Sequence, residues 1–350
     1  MIVVDAHLYC TNVRVVTADR TDGATALAAA TAPGTARPAE HRSRFDMLVD
    51  VSRLYYELGE TQGRVAEILG VTRPQVSRLL KEARAEGIVE IRIIDRTSED
   101  SPAARELRDR FGLAAVHLAP SLHGPEDLTR RIIGRLAAQV LRSSIRDGAI
   151  VGIGDGASVS ATADAMADTL TPVAATIVPL CGGYWFSGPT REPFRRIADA
   201  LGATVHGLLA PGLVDDAATK SSLYAHAGVR QILDLWQRLD VALFGIGGPG
   251  WSAAALGAEV ASDIEAAHAV GEVLIAPFDA DGRFVCGALR ERVIAFDARD
   301  LPQVLIRVAV AGGPSKVEPI LGALRAGIVG TLVTDVRTAE GVLARAGEPS

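Results

Sequence analysis

Polar and basic side chains recur on one face of a helix that the sequence predicts between Thr72 and Glu86. At about 100° per residue, the apolar positions of this segment share one face and the polar positions share the other. Arginine can bind guanine, glutamine can pair with adenine, and serine and lysine suit phosphates or base edges. The candidate DNA-contacting residues are Thr72, Arg73, Gln75, Ser77, Arg78 and Lys81.

Three glycine-containing loops follow predicted strands and can bring backbone N–H groups close to a ligand. They are Gly152–Ser158, Gly182–Gly183 and Gly312–Gly313, and Lys316 adds a cation one helical turn after the third. A tight turn would use the same glycines only for their φ angles, and for each loop taken alone that alternative stays open. With two further carboxylates, the candidate ligand-binding residues are Gly154, Asp155, Gly156, Ala157, Ser158, Gly182, Gly183, Glu272, Asp279, Gly312, Gly313 and Lys316.

The basic face belongs to the last of three short predicted helices. These helices span residues 45–58, 62–69 and 72–86, and each ends at a glycine. Ala66 is a small residue at the expected helix crossing, and Gly70 makes the turn before the third helix. Residues 88–93 are β-rich and can form a wing. The pattern predicts a helix-turn-helix, with a generic three-helix unit and a solvated basic face as the alternative.

Beyond residue 102 the chain alternates strand-like and helical segments almost to its end. The strand-like segments are Ala149–Ile153, Ala175–Leu180, Thr204–Leu209, Val241–Ile246, Val304–Ala311 and Gly330–Thr334. The amphipathic helical segments include Leu128–Ile145, Glu192–Leu201, Val229–Leu239 and Lys316–Ala326. This alternation predicts an α/β fold with a mostly parallel sheet, in which ligands bind at the carboxyl ends of the strands.

The composition excludes several classes of protein. The net charge of −6 argues against a global basic field that coats nucleic acid, so any DNA contact must be local. No run of about 18 uncharged apolar residues exists, which argues against a membrane span. The three cysteines are widely separated and predict neither a disulfide framework nor a zinc cluster. We expect a cytoplasmic protein.

The 350 residues are enough for two or three domains. Residues 1–42 lack sustained periodicity and predict a disordered extension, or a stretch that precedes the true start near Met47. The predicted helix-turn-helix domain covers residues 43–95, a polar linker covers 96–102, and a ligand-binding domain covers 103–350. The histidines show no HExxH spacing and no GxSxG elbow is present, so no catalytic residue, metal ligand or cofactor is predicted.

A string of motifs resembles the SorC family of bacterial transcription regulators. Val51–Ile93 resembles the helix-turn-helix of that family. Further motifs follow in the family's order over about 300 residues: VGIGDGAS at 151–158, PLCGGY at 179–184, LLAPGLV at 208–214, DVALFGIG at 240–247, FDADG at 278–282, VAGGPSK at 310–316 and LVTD at 332–335. The ordered series is far more specific than any one motif.

The resemblance implies an N-terminal winged helix-turn-helix domain and a C-terminal sugar-binding effector domain, similar in fold to sugar-phosphate isomerases and deaminases. It implies a regulator that binds operator DNA under the control of a sugar, polyol or sugar phosphate, as a homo-tetramer or dimer. Repression is favoured over activation. The alternative is an enzyme of the isomerase or deaminase type with an added DNA-binding segment, whose base would be Asp155, Glu272, Asp279 or Asp335.

Two departures from the family pattern bear on the ligand. Asp155 stands where the family's Gly-Trp-Gly-x-Thr loop has tryptophan, and IAPFD at 275–279 stands where the family often reads GRFFD. A carboxylate repels phosphate and accepts hydrogen bonds from hydroxyls, and the family's arginine is missing here. Lys316 instead favours an anionic ligand, because an ammonium at the start of a helix can bind phosphate. We therefore expect a neutral sugar or polyol rather than a phosphorylated sugar.

Overall fold

The structure is a computed structural model, and it describes residues 2–6, 13–17, 43–93, 101–121, 125–167, 172–183, 192–248 and 257–347. The chain divides into two compact units, Met1–Asp95 and Arg96–Ser350. The boundary between the units falls at the start of the predicted linker, residues 96–102. Most of that linker lies outside the described residues. Each unit is taken by itself below.

The N-terminal unit contains the three expected helices: α1 (Arg44–Ser52), α2 (Gln62–Leu69) and α3 (Arg73–Ala85). A π-helical turn, Arg53–Glu57, prolongs α1. The ends of α2 follow from local chemistry, because the Thr61 hydroxyl accepts the Arg64 N–H and Gly70 adopts a left-handed φ of 67°. The helix boundaries therefore agree with the sequence pattern to within a few residues.

Apolar residues from all three helices form one core in this unit. The buried members are Leu48, Val51, Val65, Ala66, Val76, Leu79, Leu80, Ala83 and Val89. On the surface, the Arg44 guanidinium pairs with both carboxylate oxygens of Glu82, which ties the start of α1 to α3. The predicted apolar face of α3 is thus the face that packs, and its polar face is left exposed.

Three antiparallel strands complete the N-terminal unit in the order β1 (Ile2–Ala6), β2 (Val13–Thr17) and β3 (Glu90–Ile93). The third strand belongs to the segment expected to form a wing. The first two fall within residues 1–42, where a disordered extension was expected. Their sequences, IVVDA and VRVVT, are rich in β-branched valine, which favours strands. The rest of residues 1–42 lies outside the described part of the chain.

A seven-stranded sheet forms the centre of the C-terminal unit, and every pairing in it is parallel. Its strands are β4 (Ala115–Ala119), β5 (Ile150–Ile153), β6 (Thr176–Pro179), β7 (Thr204–Val205), β8 (Val241–Gly245), β11 (Ile306–Val310) and β12 (Thr331–Asp335). A separate two-stranded hairpin consists of β9 (Gly271–Val273) and β10 (Ala276–Phe278). The predicted parallel α/β fold is confirmed, with β4 as an edge strand that the pattern missed.

Helices connect the strands of this unit. They are α4 (Pro102–Phe111), α5 (Glu126–Ser144), α6 (Ala157–Met166), α7 (Pro193–Leu201), α8 (Ala217–Ala225), α9 (Ala227–Trp236), α10 (Ala258–Ala266), α11 (Gly287–Arg290), α12 (Val317–Arg325) and α13 (Val336–Gly347). Two large apolar clusters pack around the sheet. No helix in the described ranges is long and apolar enough to cross a membrane.

The strand order across the sheet is β4-β12-β11-β8-β5-β6-β7. After β5 the chain continues outward to β6 and β7, and it then returns to place β8 on the other side of β5. The loops that leave β5 and β8 therefore diverge to opposite sides, which is the topological switch point where parallel sheets open a crevice. A ligand site is therefore expected at this point of the sheet.

The β9–β10 hairpin turns through two residues with left-handed backbone, Leu274 at φ 51° and Ile275 at φ 61°. Such a turn favours asparagine and glycine, and a β-branched residue there carries backbone strain. Burial offsets the strain, since Ile275 packs against Val260 and Ile264 of α10 and against Leu289. The turn is therefore held in place by its apolar contacts.

Gly182 and Gly183 differ sharply in the space around them. A Cβ on Gly182 would overlap the Pro211 carbonyl, whose carbon lies 2.7 Å away. A Cβ on Gly183 would come no closer than 3.9 Å to Ala210 O. The N–H of Gly182 donates to Ile294 O at 2.8 Å, so this backbone is fixed on two sides. Glycine at position 182 is therefore required for close packing.

We expect Gly182→Ala to lower the free energy of unfolding by about 1–3 kcal/mol, because the methyl group meets backbone that cannot rotate away. Gly183→Ala is the matched control and should change it by less than about 0.5 kcal/mol. Urea unfolding of both variants, followed by circular dichroism, makes the comparison. Equal stability of the two variants would contradict the packing role of Gly182.

Candidate effector cavity and DNA-binding face

A cavity of about 260 Å³ lies at the switch point, and we call it the switch-point cavity. It is lined by Glu126, Arg130, Asp155, Gly156, Ala157, Ser158, Cys181, Gly245, Ile246, Gly247, Glu272, Leu274, Ile275, Gly312 and Lys316. The first and third predicted glycine loops both contribute. Seven of the twelve candidate ligand-binding residues therefore meet here: Asp155, Gly156, Ala157, Ser158, Glu272, Gly312 and Lys316.

The remaining five candidates, Gly154, Gly182, Gly183, Asp279 and Gly313, do not line this cavity. Gly154 belongs to the sheet edge, where its N–H donates to Leu243 O at 2.8 Å. Gly182 and Gly183 join the loop after β6 to residues 210–212 through backbone hydrogen bonds and close contact. At Gly154 and Gly182 glycine lets backbone segments approach one another, whereas Gly183 has room for a Cβ.

Asp279 closes its own turn. Its Oδ1 accepts the N–H groups of Asp281 at 3.0 Å and Arg283 at 2.8 Å. Gly282, at φ 80°, supplies the left-handed residue that the turn requires. The FDADG motif therefore forms a turn, and the Asp279 carboxylate accepts hydrogen bonds from the backbone of that turn.

The third glycine loop is held by a buried carboxylate. Asp335, at the end of β12, is 3% exposed. Its Oδ2 accepts the Gly313 N–H at 2.9 Å, and the Thr338 hydroxyl both donates to Oδ2 and accepts the Gly313 N–H at 2.8 Å. Gly313 itself has φ 98°, which glycine adopts without strain. This network fixes the loop that carries Gly312 and Lys316 into the cavity.

Asp155 places a carboxylate beside the start of α6. Its Oδ1 accepts the N–H of Gly156 at 2.7 Å, and α6 begins at the next residue. The N-terminus of a helix attracts negative charge because its first N–H groups have no partner within the helix. Since Asp155 already supplies that charge, a phosphate at this end of the cavity meets both repulsion and an occupied donor.

The opposite wall of the cavity carries cations. Burial lowers the pKa of the Lys316 ammonium and nearby Arg130 lowers it further, whereas Glu272 and Glu126 act in the opposite direction. Glu272 is buried, and its backbone pairs with that of Gly247 through two hydrogen bonds. The lining as a whole has two cations and the three carboxylates Glu126, Asp155 and Glu272.

Several residues that line the cavity were not predicted from the sequence. Glu126 and Arg130 come from the start of α5, a helix that precedes the first glycine loop and packs against β4, β11 and β12. Leu274 and Ile275 come from the hairpin turn. Gly245 and Gly247 could have been predicted from the DVALFGIG motif, because Gly245 lies near the end of a predicted strand and Gly247 directly follows it. The same rule of strand ends would have found these two glycines.

The polar face of α3 is open to solvent. All six candidate DNA-contacting residues are exposed: Thr72, Arg73, Gln75, Ser77, Arg78 and Lys81. The cations Arg73, Arg78 and Lys81 form no ion pair with any residue that the structure describes. Unpaired basic side chains at the start of a helix are the groups that enter a DNA groove. The face is therefore available for contact.

Gln75 has a partner within its own helix. Its Oε1 accepts the N–H of Thr72 at 2.7 Å and the Thr72 hydroxyl at 2.9 Å. The amide oxygen thus caps the first turn of α3, as the glutamine of a capping box does. The role expected for Gln75, pairing with adenine, stays a prediction.

Comparison with known proteins agrees with this architecture. A family model described as "Putative sugar-binding domain" matches residues 95–344. The sorbitol operon regulator of Klebsiella pneumoniae is 29% identical over 311 residues, which cover 86% of this chain and 98% of the regulator. The erythritol catabolism regulatory protein EryD of Brucella abortus is 30% identical over 306 residues, which cover 85% and 95%.

A solved structure resembles most of the chain. The crystal structure of the full-length sorbitol operon regulator SorC from Klebsiella pneumoniae matches with a TM-score of 0.65 at 28% identity. The match covers 85% of this chain and 98% of that chain. The family match, the near-complete coverage of the relatives and the shared fold lead to one conclusion: the chain belongs to the SorC family of sugar-binding transcriptional regulators.

Proposed function

We propose that this protein is a transcriptional regulator that binds operator DNA through the exposed face of α3 and is controlled by a sugar or polyol in the switch-point cavity. The observation that carries the proposal is the presence, in one chain, of an unpaired basic recognition face and a built cavity at the switch point of a parallel sheet. Five of the lining side chains are charged, namely Glu126, Arg130, Asp155, Glu272 and Lys316, and in this proposal they select the ligand.

The charges of the cavity favour a neutral polyhydroxy ligand. Three carboxylates outnumber two cations in the lining, and Asp155 occupies the start of α6. Carboxylates accept hydrogen bonds from hydroxyl groups, and Lys316 and Arg130 can donate hydrogen bonds to hydroxyl oxygens. A polyol can therefore bond to both kinds of charged side chain in the lining. Sorbitol and erythritol, which give two relatives their names, are neutral polyols.

Control of DNA binding requires that the ligand favour one arrangement of the recognition helices over another. We propose a homo-dimer or homo-tetramer, because paired helix-turn-helix units read half-sites about one helical turn of DNA apart. In this scheme the unliganded protein represses, and ligand binding weakens its hold on the operator. A protein of this kind works in the cytoplasm, where the operator is.

The enzymatic alternative loses two of its four candidate bases. Asp335 is buried among hydroxyl and N–H donors, and Asp279 accepts the N–H groups of its own turn. A general base needs a lone pair directed at the substrate proton. Steady-state turnover of ribose 5-phosphate or glucosamine 6-phosphate by the pure protein distinguishes the enzyme from the regulator.

We expect Arg78→Ala to weaken operator binding by about 1–3 kcal/mol and to relax the base preference at one position, because arginine reads guanine through two hydrogen bonds. Arg345→Ala, which removes an arginine paired with Glu318 in the other unit, is the control for charge. Fluorescence anisotropy with the operator and single-base variants measures both effects. A uniform loss across all sequences would make Arg78 a phosphate contact.

We expect sorbitol or erythritol to raise the melting temperature of the protein more than the corresponding phosphate does, because Asp155 repels the anion. Asp155→Asn keeps the side-chain size and removes the charge. It should shift the ratio of the two dissociation constants by about tenfold toward the phosphate, which is about 1.4 kcal/mol. Tighter binding of the phosphate by the unmodified protein would refute the neutral-ligand proposal.

We expect Lys316→Met to abolish the response of operator binding to the ligand while DNA affinity without ligand stays within a few fold. The half-buried ammonium is the cavity's main donor beside Arg130, and methionine preserves its length. Glu318→Gln, at an exposed position two residues along, is the control. Anisotropy titrations with and without ligand give the result, and an unchanged response in Lys316→Met would remove Lys316 from the site.

A further inference from the structure

A second cavity lies within the C-terminal unit, between helices α8 and α9 and the segment from Leu274 to Asp300. Its volume is about 410 Å³, which exceeds that of the switch-point cavity and falls in the range of about 300–1,000 Å³ that small-molecule sites occupy. We call it the Lys220 cavity. None of the motifs considered in the sequence accounts for it.

Lys220 reaches into this cavity from α8. Its ammonium donates to Arg290 O at 2.7 Å and lies 5.3 Å from the centre of the Tyr224 ring. An ammonium has three N–H donors, and within the described residues Lys220 has no carboxylate at ion-pair distance. Two donors of a half-buried cation therefore remain for another acceptor.

Two arginines of the lining share a single carboxylate. Asp297 accepts Arg290 Nε at 2.9 Å and Arg299 Nη1 at 3.1 Å. Each guanidinium has five N–H donors, so most of them are not used by this pair of contacts. Lys220, Arg290 and Arg299 together with Asp297 carry a formal charge of three cations against one anion.

Glu291 and Asp300 also line the cavity, so its three cations and three carboxylates balance in formal charge, and an anion would be held by the unused N–H donors rather than by net charge. Glu291 is exposed, and Asp300 accepts a hydrogen bond from Gln303 at 3.2 Å. The remaining wall is largely aromatic and apolar, with Trp236 and Phe296 in edge-to-face contact. The cavity thus combines a cluster of unused N–H donors with a surface suited to a carbon skeleton.

We propose that the Lys220 cavity is a second ligand site, which binds a small organic anion such as a carboxylate or a phosphate ester. Lys220 and the arginine pair hold the anionic group, because charge-assisted hydrogen bonds are the strongest that these side chains form. Tyr224, Trp236 and Phe296 contact the rest of the molecule. This site differs in chemistry from the switch-point cavity, where carboxylates outnumber cations.

One wall connects the two cavities. Leu274 and Ile275, the strained turn of the β9–β10 hairpin, line both of them. A ligand that moves this turn in one cavity changes the shape of the other, so the two ligands alter each other's affinity by the same factor. The linkage rests on the proposed function of the switch-point cavity, whereas the anion site itself does not.

The test is isothermal titration of the full chain with glycerol 3-phosphate, malonate and inorganic phosphate at constant ionic strength, with glycerol as the uncharged control. We expect at least one of the organic anions to bind saturably and more tightly than glycerol, which lacks the anionic group. Lys220→Met should weaken that binding by about tenfold or more, and Lys220→Arg, which keeps the charge, should retain it within a few fold. Circular dichroism checks that both variants fold.

Lys316→Met separates this site from the proposed effector site. We expect it to leave anion binding within about twofold while it abolishes the polyol response, so failure of one proposal is distinguishable from failure of the other. Loss of anion binding in Lys316→Met with no change in Lys220→Met would assign the anion to the switch-point cavity and overturn the second site. Absence of saturable binding by every anion would overturn it as well.

Discussion

The site in the C-terminal unit depends on one buried carboxylate, that of Asp335. A carboxylate in the interior is costly unless donors surround it, and Asp335 accepts from Ser121 Oγ, Gly313 N–H, and both the N–H and the hydroxyl of Thr338. These donors come from the loops after β4 and β11 and from the start of α13. Three connections of the sheet are thereby fixed to one another, and Lys316 receives a defined position.

The switch-point cavity follows from that arrangement together with the strand order. The loops after β5, β8 and β11 form three of its walls, and the β9–β10 hairpin adds the fourth. Where the family often has glycine, this chain has Ile275 in a left-handed conformation. Its side chain fills space that glycine would leave open, so the departure from the family pattern narrows the site and separates it from the Lys220 cavity.

Much of the fold could be predicted from the sequence because helix ends and strand patterns depend on neighbouring residues. Caps and glycines delimited the three N-terminal helices, and the alternation of segments indicated a parallel sheet. Strand β4 was missed because five residues at a sheet edge, with His117 among them, carry a weak apolar signal. Arg130 was not predicted because nothing in its local sequence marks it as a ligand contact. Only the folded chain brings α5 to the cavity. Gly182 was predicted to bind ligand, but the structure uses it for close backbone packing. The sequence does not distinguish a glycine needed for packing from one that lets a ligand approach.

Under the proposed function, the capping of α3 by Gln75 would affect how the protein finds its operator. While the Gln75 amide oxygen is bound to Thr72, the side chain is withdrawn from any base, and only the charged side chains of the helix face are extended. Contact with arbitrary DNA then relies on phosphate attraction, which permits sliding. Reading an adenine requires Gln75 to leave the cap, so the start of the recognition helix loosens only when a matching base offers replacement hydrogen bonds. A local capping bond thus separates the searching state from the reading state.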